Sequence, residues 1–469
     1  MLGRVFKAYD VRGTYPDLLT DTMAFQIGAG AARYLLQDAA EAGETTPMMQ
    51  NLVVGRDMRK SSPKLSAELI KGIRAGGASV IDVGLVDTSF VYFAINHLDC
   101  AGGVMVTASH NPPQYNGFKT SKRKAKPVGE HTGLADVRKY AAMSDTNKPA
   151  QEGTFVDKRD LWDAYTDHVR SFLDMRGRKI KVVVDASNGM AGTMVPRVFG
   201  EKGSAIEGLE IVEMNFDNTK GEFVHEPNPL VAANVADLCK AVVAEEADLG
   251  VCFDGDADRC VVVDEKGQIV GCDALTALLA QFFLAKEPGG SVVYDLRSTK
   301  AVAEEIEKAG GRAIRSRVGH VFMKQVMSDE GCVFGGELSG HFYFRDNFNA
   351  DSGAIAMATV LSLLAEKKRK LSNMIKPISR YKQSGEINFE NEEKDEALDL
   401  IREEYMDRGD IDDLDGVTVD CFEEEGWWCN IRKSNTEPLL RLNAEAKDQA
   451  TLNKVLQEIA PKLGTRVDH

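Results

Sequence analysis

Three aspartates, Asp254, Asp256 and Asp258, alternate within DGDADR between the apolar runs LGVCF and CVVVD. Carboxylates at i, i+2 and i+4 repel one another unless a cation neutralises them. The pattern points to a metal site; a solvated acidic loop is the plain alternative. An EF-hand fits poorly. Arg259 stands where its turn requires glycine, and a strand over Cys260–Val263 would carry Glu265 roughly 20 Å from the aspartates. Few hard oxygen ligands with Arg259 adjacent suit Mg2+ shared with a phosphate.

A second run, VMVT, leads into Ala108, Ser109, His110, Asn111, Pro112 and Pro113. Two prolines remove donors and fix φ, so the turn is stiff. It would present Ser109 as a nucleophile or phosphate carrier, with Lys119 as a nearby cation or acid/base. The alternative is a polar turn with a capping serine. The G-x-S-x-G elbow of a hydrolase is absent.

In GGELSGH, Glu337, Ser339 and His341 alternate and would share one face if extended. Such donors beside bare backbone suit a polyhydroxylated ligand; a glycine-rich hairpin is the alternative. NIRKSNTEPLLR gathers Arg432, Lys433, Ser434, Asn435, Thr436 and Arg441 around a turn fixed by Pro438. These are phosphate-type donors in an acidic chain, or else the incidental charges of a surface loop. Lys7 and Arg12 lie in FKAYDVRG, and His320 follows a glycine with Lys324 nearby; a lone histidine is more often structural. IGAGAARY lacks the third glycine and the preceding strand of a dinucleotide fingerprint, and reads as helix.

The elements that must hold these motifs repeat. NLVVGRDMRKSSPKLSAELIKGIRAGG (51–77), KIKVVVDASNGMAGTMVPRVFGEKG (179–203) and GGSVVYDLRSTKAVAEEIEKAGG (289–311) share one outline. Each is an apolar β-branched run, an acidic residue, a small-residue turn and a helical pattern. That argues βα units with mainly parallel strands. Polar MSDTNKPAQEGTF (143–155), the strand opening at Cys260 and the charged, irregular stretch 367–397 mark boundaries. The expected domains are 1–150 with the serine loop, 151–259 with the aspartate loop and 260–372 with the GELSGH loop. The fourth, 373–469, is a smaller α+β domain with strands DGVTVDCF and WWCNIRKS and a closing helix over TLNKVLQEIAPKL. The fold class is α/β.

The chain has 469 residues, about three times a typical domain of ~150. It is 43% hydrophobic and 28% charged, which excludes disordered and collagen-like classes. Its net charge of −15 disfavours nucleic-acid and anionic-membrane binding. No apolar run reaches the ~20 residues of a membrane span. Cys100, Cys239, Cys252, Cys260, Cys272, Cys332, Cys421 and Cys429 form no C-x-x-C pair and sit mostly in apolar runs. With no export signal at the N-terminus, a reduced, cytoplasmic protein is expected.

Taken together, the four segments resemble those of the α-D-phosphohexomutases, the bacterial phosphomannomutase/phosphoglucomutase group, in the same order and over nearly the whole chain. TASHNP resembles the phosphoserine loop, DGDADR the metal loop, GELSGH the sugar loop and RKSNTEP the C-terminal phosphate loop; FKAYDVRG and EPNP (226–229) add to it.

The resemblance implies four domains, three of similar α/β plan. It implies that Ser109 carries a phosphoryl group and that Mg2+ is bound by Asp254, Asp256, Asp258 and a Ser109 phosphate oxygen. Arg12, His110, Lys119 and Arg259 would surround the transferring phosphate, with Lys119 and His320 as acid/base candidates. Glu337 and Ser339 would hold sugar hydroxyls with His341 close by, and Arg432, Ser434, Asn435, Thr436 and Arg441 the other phosphate.

The implied reaction interconverts mannose 6-phosphate and mannose 1-phosphate, and the glucose pair, through a 1,6-bisphosphate. Glucose or mannose 1,6-bisphosphate would be the activator, hexose phosphates the only partners, and no protein partner is implied. Leu338 stands where Met is common in the mannose/glucose group and Gln in phosphoglucosamine mutases. An amino-sugar mutase and a Mg-dependent sugar phosphatase are the alternatives. Arg297, where relatives can carry Lys, gives no discrimination, since both cations contact phosphate.

Overall fold

The computed structural model describes residues 2–200, 205–434 and 439–467. The chain divides into two units. One runs through Cys272 and adds Met327–Gly331 and Ser339–Ser372; the other holds Asp273–Val326, Cys332–Leu338 and the residues from Asn373 on.

The first unit opens with a sheet of β1 (Val11–Thr14), β2 (Asn51–Arg56), β3 (Ser79–Leu85), β4 (Gly102–Val106), β5 (Tyr115–Lys122) and β6 (Val156–Lys158), in the order β1-β5-β4-β2-β3-β6. β2 pairs in parallel with β3 and β4, and β5 pairs antiparallel with β4. Every residue of β4 is buried, as an inner strand of a helix-covered sheet must be.

The helix Asp21–Glu41 contains IGAGAA, and its start is capped by the Thr20 side chain, which accepts from Met23 N–H. Its glycines serve packing. A Cβ on Gly28 would stand 2.2 Å from Leu69 O of the neighbouring helix Ser62–Ala75.

A second sheet contains β7 (Ile180–Asp185), β8 (Leu209–Met214), β9 (Leu249–Phe253), β10 (Cys260–Asp264) and β11 (Ile269–Val270), in the order β11-β10-β9-β7-β8. β10 and β11, which the sequence reading assigned to the third domain, thus pair on from β9 through an antiparallel turn. In the second unit β12 (Ser291–Asp295) is flanked in parallel by β13 (Arg312–Ser316) and β14 (Phe334–Gly336). β15 (Phe342–Phe344) and β16 (Ala350–Asp351) form an antiparallel pair in the first unit.

The C-terminal sheet is built of β17 (Lys382–Glu390), β18 (Asp410–Asp412), β19 (Val417–Cys421), β20 (Trp427–Lys433), β21 (Leu439–Ala446) and β22 (Thr465–Val467). Its neighbouring strands all pair antiparallel. The helices Lys394–Tyr405 and Gln449–Ile459 bury Ile401, Tyr405, Leu452 and Ile459 in its core. β17 lies inside the stretch read from sequence as charged and irregular. Its side chains are mostly exposed, so the apolar alternation that marks a strand is missing.

All eight cysteines are free. Among the described residues, no helix is long and apolar enough to cross a membrane.

Candidate active site

Ser109 sits just past β4 with φ +49°, a left-handed conformation that costs a non-glycine residue strain and marks a tightly specified turn. The turn is held from behind. Arg59, fully buried, donates from Nη2 to Ser109 O and Asn111 O, each at 2.7 Å, and from Nη1 to Pro112 O at 2.8 Å and Tyr115 O at 3.1 Å. Its Nε donates to Asp57 Oδ2 at 3.1 Å. A buried guanidinium with a carboxylate and four carbonyls fixes a turn that has few backbone bonds of its own. Arg59 belongs to GRDMRK of the first repeated segment, where nothing local marks it as the anchor of a turn some 50 residues on.

The serine hydroxyl faces the aspartate loop. Ser109 Oγ donates to Asp254 Oδ2 at 2.7 Å, and His110 Nδ1 lies 3.3 Å from the same Oγ. The approach of the two loops explains Gly255, where a Cβ would stand 2.3 Å from Ser109 O. Lys119, on β5, donates to Asp256 Oδ2 at 2.7 Å and Asp258 Oδ2 at 2.6 Å. Arg259 Nε donates to Asp254 Oδ2 at 3.0 Å. Arg12 bonds Asn111 Oδ1 and Asp10 Oδ2, so its guanidinium is tied to the same turn.

The electrostatics follow from this packing. Burial pushes Asp254 up to about 7, with Asp258 and Asp256 adding to it against the pull of Arg259. Asp258, buried too, is nevertheless held well below the usual carboxylate range by Lys119, His341 and Arg259. Burial would lower Lys119, but the three aspartates win and raise it, so it stays charged. Arg259, burial, Arg12 and Lys119 hold His110 well below the usual imidazole range, so it is neutral at pH 7.

Within this cluster four buried atoms lack hydrogen-bond partners among the described residues: Arg12 Nε, Asp256 Oδ1, Asp258 Oδ1 and Arg259 Nη2. Such orphans are costly unless a ligand satisfies them. The ligand atoms of Asp254, Asp256 and Asp258 lie within 4.8 Å of one another, and the three residues are at most 1% exposed. This buried, all-oxygen set fits a hard divalent cation, and the orphaned guanidinium nitrogen beside Ser109 fits an anion.

The GELSGH segment is turned rather than extended. Residues 337–340 turn, with Gly340 at φ +83°, so Glu337, Ser339 and His341 do not line one strand face. Ser339 Oγ and His341 Nδ1 lie 2.8 Å apart, and His341 Nε2 is 3.6 Å from Asp258 Oδ1. Both thereby join the Ser109 cluster. Glu337, in the second unit, accepts from Gly319 N–H at 2.9 Å, beside His320 at the start of the helix His320–Asp329.

Also in the second unit, three arginines converge on one carboxylate of β17. Glu386 accepts from Arg432 at 2.9 Å, Arg441 at 3.1 Å and Arg297 at 3.5 Å. Arg297 is further held by Asp295 Oδ2 at 2.8 Å. Burial opposes ionisation of Glu386, but the arginines win and lower it. Burial and repulsion from Arg297 lower Arg432. Ser434 Oγ accepts from Arg441 at 3.4 Å, while Lys433 pairs with Asp395 instead. Asn435 and Thr436 lie outside the described residues. Arg297, given no weight from sequence, belongs to this cluster; its signal is the acidic Asp295 that ends β12.

Comparison with known proteins matches this chain four times to one family: Phosphoglucomutase/phosphomannomutase alpha/beta/alpha domain I over 3–144, domain II over 163–267, domain III over 272–381 and the C-terminal domain over 386–462. It is 39% identical over 460 residues to a Xanthomonas campestris pv. campestris (strain B100) protein named "Phosphohexose mutases", covering 97% of this chain and 98% of the relative. It is 36% identical over 463 residues to an Escherichia coli phosphomannomutase, covering 97% and 98%.

A solved phosphoglucomutase/phosphomannomutase family protein from Burkholderia thailandensis superposes with TM-score 0.86 at 29% identity, covering 98% of this chain and 96% of that one. An Aspergillus fumigatus N-acetylphosphoglucosamine mutase, solved with GlcNAc-6P and magnesium, shares the fold at TM-score 0.63 and 15% identity, covering 98% and 96%. These matches define the class, a mutase of the isomerase kind. The chain belongs to the phosphoglucomutase/phosphomannomutase family, and it is a phosphohexomutase.

Proposed function

We propose that this phosphohexomutase interconverts mannose 6-phosphate and mannose 1-phosphate, and the glucose pair, with Ser109 as phosphoryl carrier. The observation that supports it is that the buried Ser109 hydroxyl and Arg259 Nε both donate to Asp254 Oδ2, at 2.7 and 3.0 Å. Phosphoryl transfer asks chiefly for alignment and charge neutralisation.

The P–O bond to Ser109 breaks as a hydroxyl of the hexose phosphate bonds to phosphorus, giving a 1,6-bisphosphate and free Ser109. The bisphosphate reorients, and its other phosphoryl group returns to Ser109. Glucose or mannose 1,6-bisphosphate would restore phospho-Ser109 whenever it is lost.

Asp254, Asp256 and Asp258, with a Ser109 phosphate oxygen, would hold Mg2+, which supplies charge neutralisation at the transferring group. Arg259 and Lys119 offset the remaining phosphoryl charge, and Arg12 and His110 flank it. Lys119, held protonated, acts as acid rather than base at neutral pH; His320 is the proposed base. Glu337 and Ser339 hold sugar hydroxyls, with His341 beside them. Arg432, Ser434, Asn435, Thr436 and Arg441 bind the ester phosphate that is not reacting, in either orientation of the sugar.

The test is 31P NMR of the protein with Mg2+, mannose 6-phosphate and a trace of glucose 1,6-bisphosphate, repeated with glucose and glucosamine phosphates. Conversion to the 1-phosphate without inorganic phosphate supports the reading, and the relative rates rank the sugars. Release of inorganic phosphate alone overturns it in favour of a phosphatase.

A further inference from the structure

The helix Thr88–His97 begins against the aspartate loop. Thr88 is fully buried and grips residue 256 twice, across 168 positions of sequence. Its N–H donates to Asp256 O at 3.1 Å, and its Oγ1 donates to Asp256 Oδ2 at 2.5 Å. The main-chain bond fixes where the loop passes; the side-chain bond fixes how its carboxylate is turned. The turn carrying Thr88 is itself held. Asp87, the N-cap, accepts from Phe90 N–H at 3.1 Å and from Tyr165 Oη at 2.8 Å.

Asp256 Oδ2 has a second donor, Lys119 Nζ at 2.7 Å. The two donors are unlike. Lys119 is a cation on a long flexible stem that also serves Asp258 Oδ2 at 2.6 Å, and in the function proposed above it turns to the phosphoryl group. Thr88 is uncharged, stiff at its branched Cβ and anchored by its own backbone, so its bond persists when Lys119 is drawn away. With Oδ2 taken, the oxygen that remains is Oδ1, which is buried and has no hydrogen-bond partner among the described residues. A carboxylate that offers one oxygen is aimed by whatever holds the other.

We propose that Thr88 is the positioning residue of the aspartate loop: its hydroxyl clamps Asp256 Oδ2 and thereby sets Oδ1 as the oxygen offered to a divalent cation. It acts through Asp256. This rests on the reading above that the aspartates hold Mg2+. The consequence is that Mg2+ affinity depends on a hydroxyl donor at position 88 and not on side-chain volume there.

The test compares three variants of the full-length protein. Thr88→Val keeps the shape and removes the donor. Thr88→Ser keeps the donor and removes the methyl group. Thr88→Cys keeps only a weak donor. Mg2+ affinity is measured by calorimetry and Mn2+ affinity by electron paramagnetic resonance, neither of which needs turnover. Thr88→Val should weaken binding of both ions ~10–100-fold, as loss of a partner that orients a metal ligand does. Thr88→Ser should bind as wild type does, and Thr88→Cys should fall between. KM for hexose phosphate at saturating Mg2+ should not change. A packing role alone predicts the reverse order, because valine fills the space that serine leaves.

Mg2+ affinity that is equal in wild type, Thr88→Cys and Thr88→Val, or that falls as far in Thr88→Ser as in Thr88→Val, would overturn the proposal. If Thr88→Val does not fold, the comparison of Thr88→Ser with Thr88→Cys decides. A wild type that binds neither ion would overturn the reading of the aspartates and this inference with it. A wild type that binds both, with the variants unchanged, would overturn this inference alone.

Discussion

The Ser109 cluster and the Glu386 cluster are opposites in charge. In the first, three buried carboxylates meet two cations, Lys119 and Arg259. In the second, three guanidiniums meet on one carboxylate, Glu386. The acidic region is short by one cation; the basic region, counting Asp295 on Arg297, is short by one anion. The acidic region lacks a cation and leaves Asp256 Oδ1 unsatisfied. The basic region has more guanidiniums than the carboxylates of Glu386 and Asp295 neutralise. The lesson is that local charge excess names the ligand, while the chain's net charge of −15 does not. An acidic protein can still hold a phosphate-binding pocket, because screening limits the reach of charges to roughly 10 Å.

The sharpest way to break this comparison is Ser109→Ala. Mutase turnover should fall by about 10⁴-fold or more, as when a covalent nucleophile is removed. Hexose phosphate binding, measured by calorimetry, should persist because the arginines remain. Near-normal turnover would show that Ser109 carries nothing.

Next in size is Arg59→Met. It leaves Asp57 buried without its cation and frees four carbonyls of the serine turn. Urea unfolding should show a loss of about 3–5 kcal/mol. Asp57→Asn combined with Arg59→Met should recover part of it. No loss in the single variant would remove Arg59 as the turn's anchor.

The basic side is probed by Arg432→Met. KM for hexose phosphate should rise ~10–100-fold, which is about 1.4–2.8 kcal/mol, with a smaller change in kcat. Mg2+ affinity should not change. If Mg2+ affinity fell as well, the two regions would not be separable in function.

The smallest effect concerns the support behind the aspartate loop. Asp87 accepts from Tyr165 Oη at 2.8 Å and caps the helix Thr88–His97, whose Thr88 hydroxyl donates to Asp256. Burial pushes Asp87 up to about 7, above its ordinary 3.8. The folded state therefore keeps a proton that the unfolded chain releases above pH ~4. This contribution to stability is complete below that pH and lost as pH rises through 7. Asp87→Asn keeps the cap and the tyrosine bond without the proton. Its stability relative to wild type should rise by about 1.4 kcal/mol from pH 6 to pH 8 in thermal unfolding. A pH-independent difference would show that Asp87 is ionised in the fold.

Much of the site was legible because its pieces are local. Alternating aspartates, a Pro-Pro turn after a strand and an arginine-rich turn each declare their chemistry within a few residues. Whether GELSGH is extended or turned stayed open because glycine permits both conformations, and Gly340 at φ +83° decides for the turn. Arg59 and Glu386 were missed for a different reason. Nothing within a few residues of either distinguishes a structural charge from a surface one. Their roles come from partners 46 to 89 residues away in sequence.

The sequence by itself determined the α/β class, the repeated βα plan and the candidate reacting groups. Backbone propensity, apolar periodicity and donor type act over short stretches of chain and can be read there. Only the tertiary structure decided which charges meet. Ser109 reaches Asp254 across 145 positions, and Lys119 reaches Asp256 and Asp258 across 137 and 139. Those pairings depend on how strands from separate sheets approach, and on the low dielectric that burial creates around them. Under that burial a carboxylate is raised or lowered according to its nearest charge.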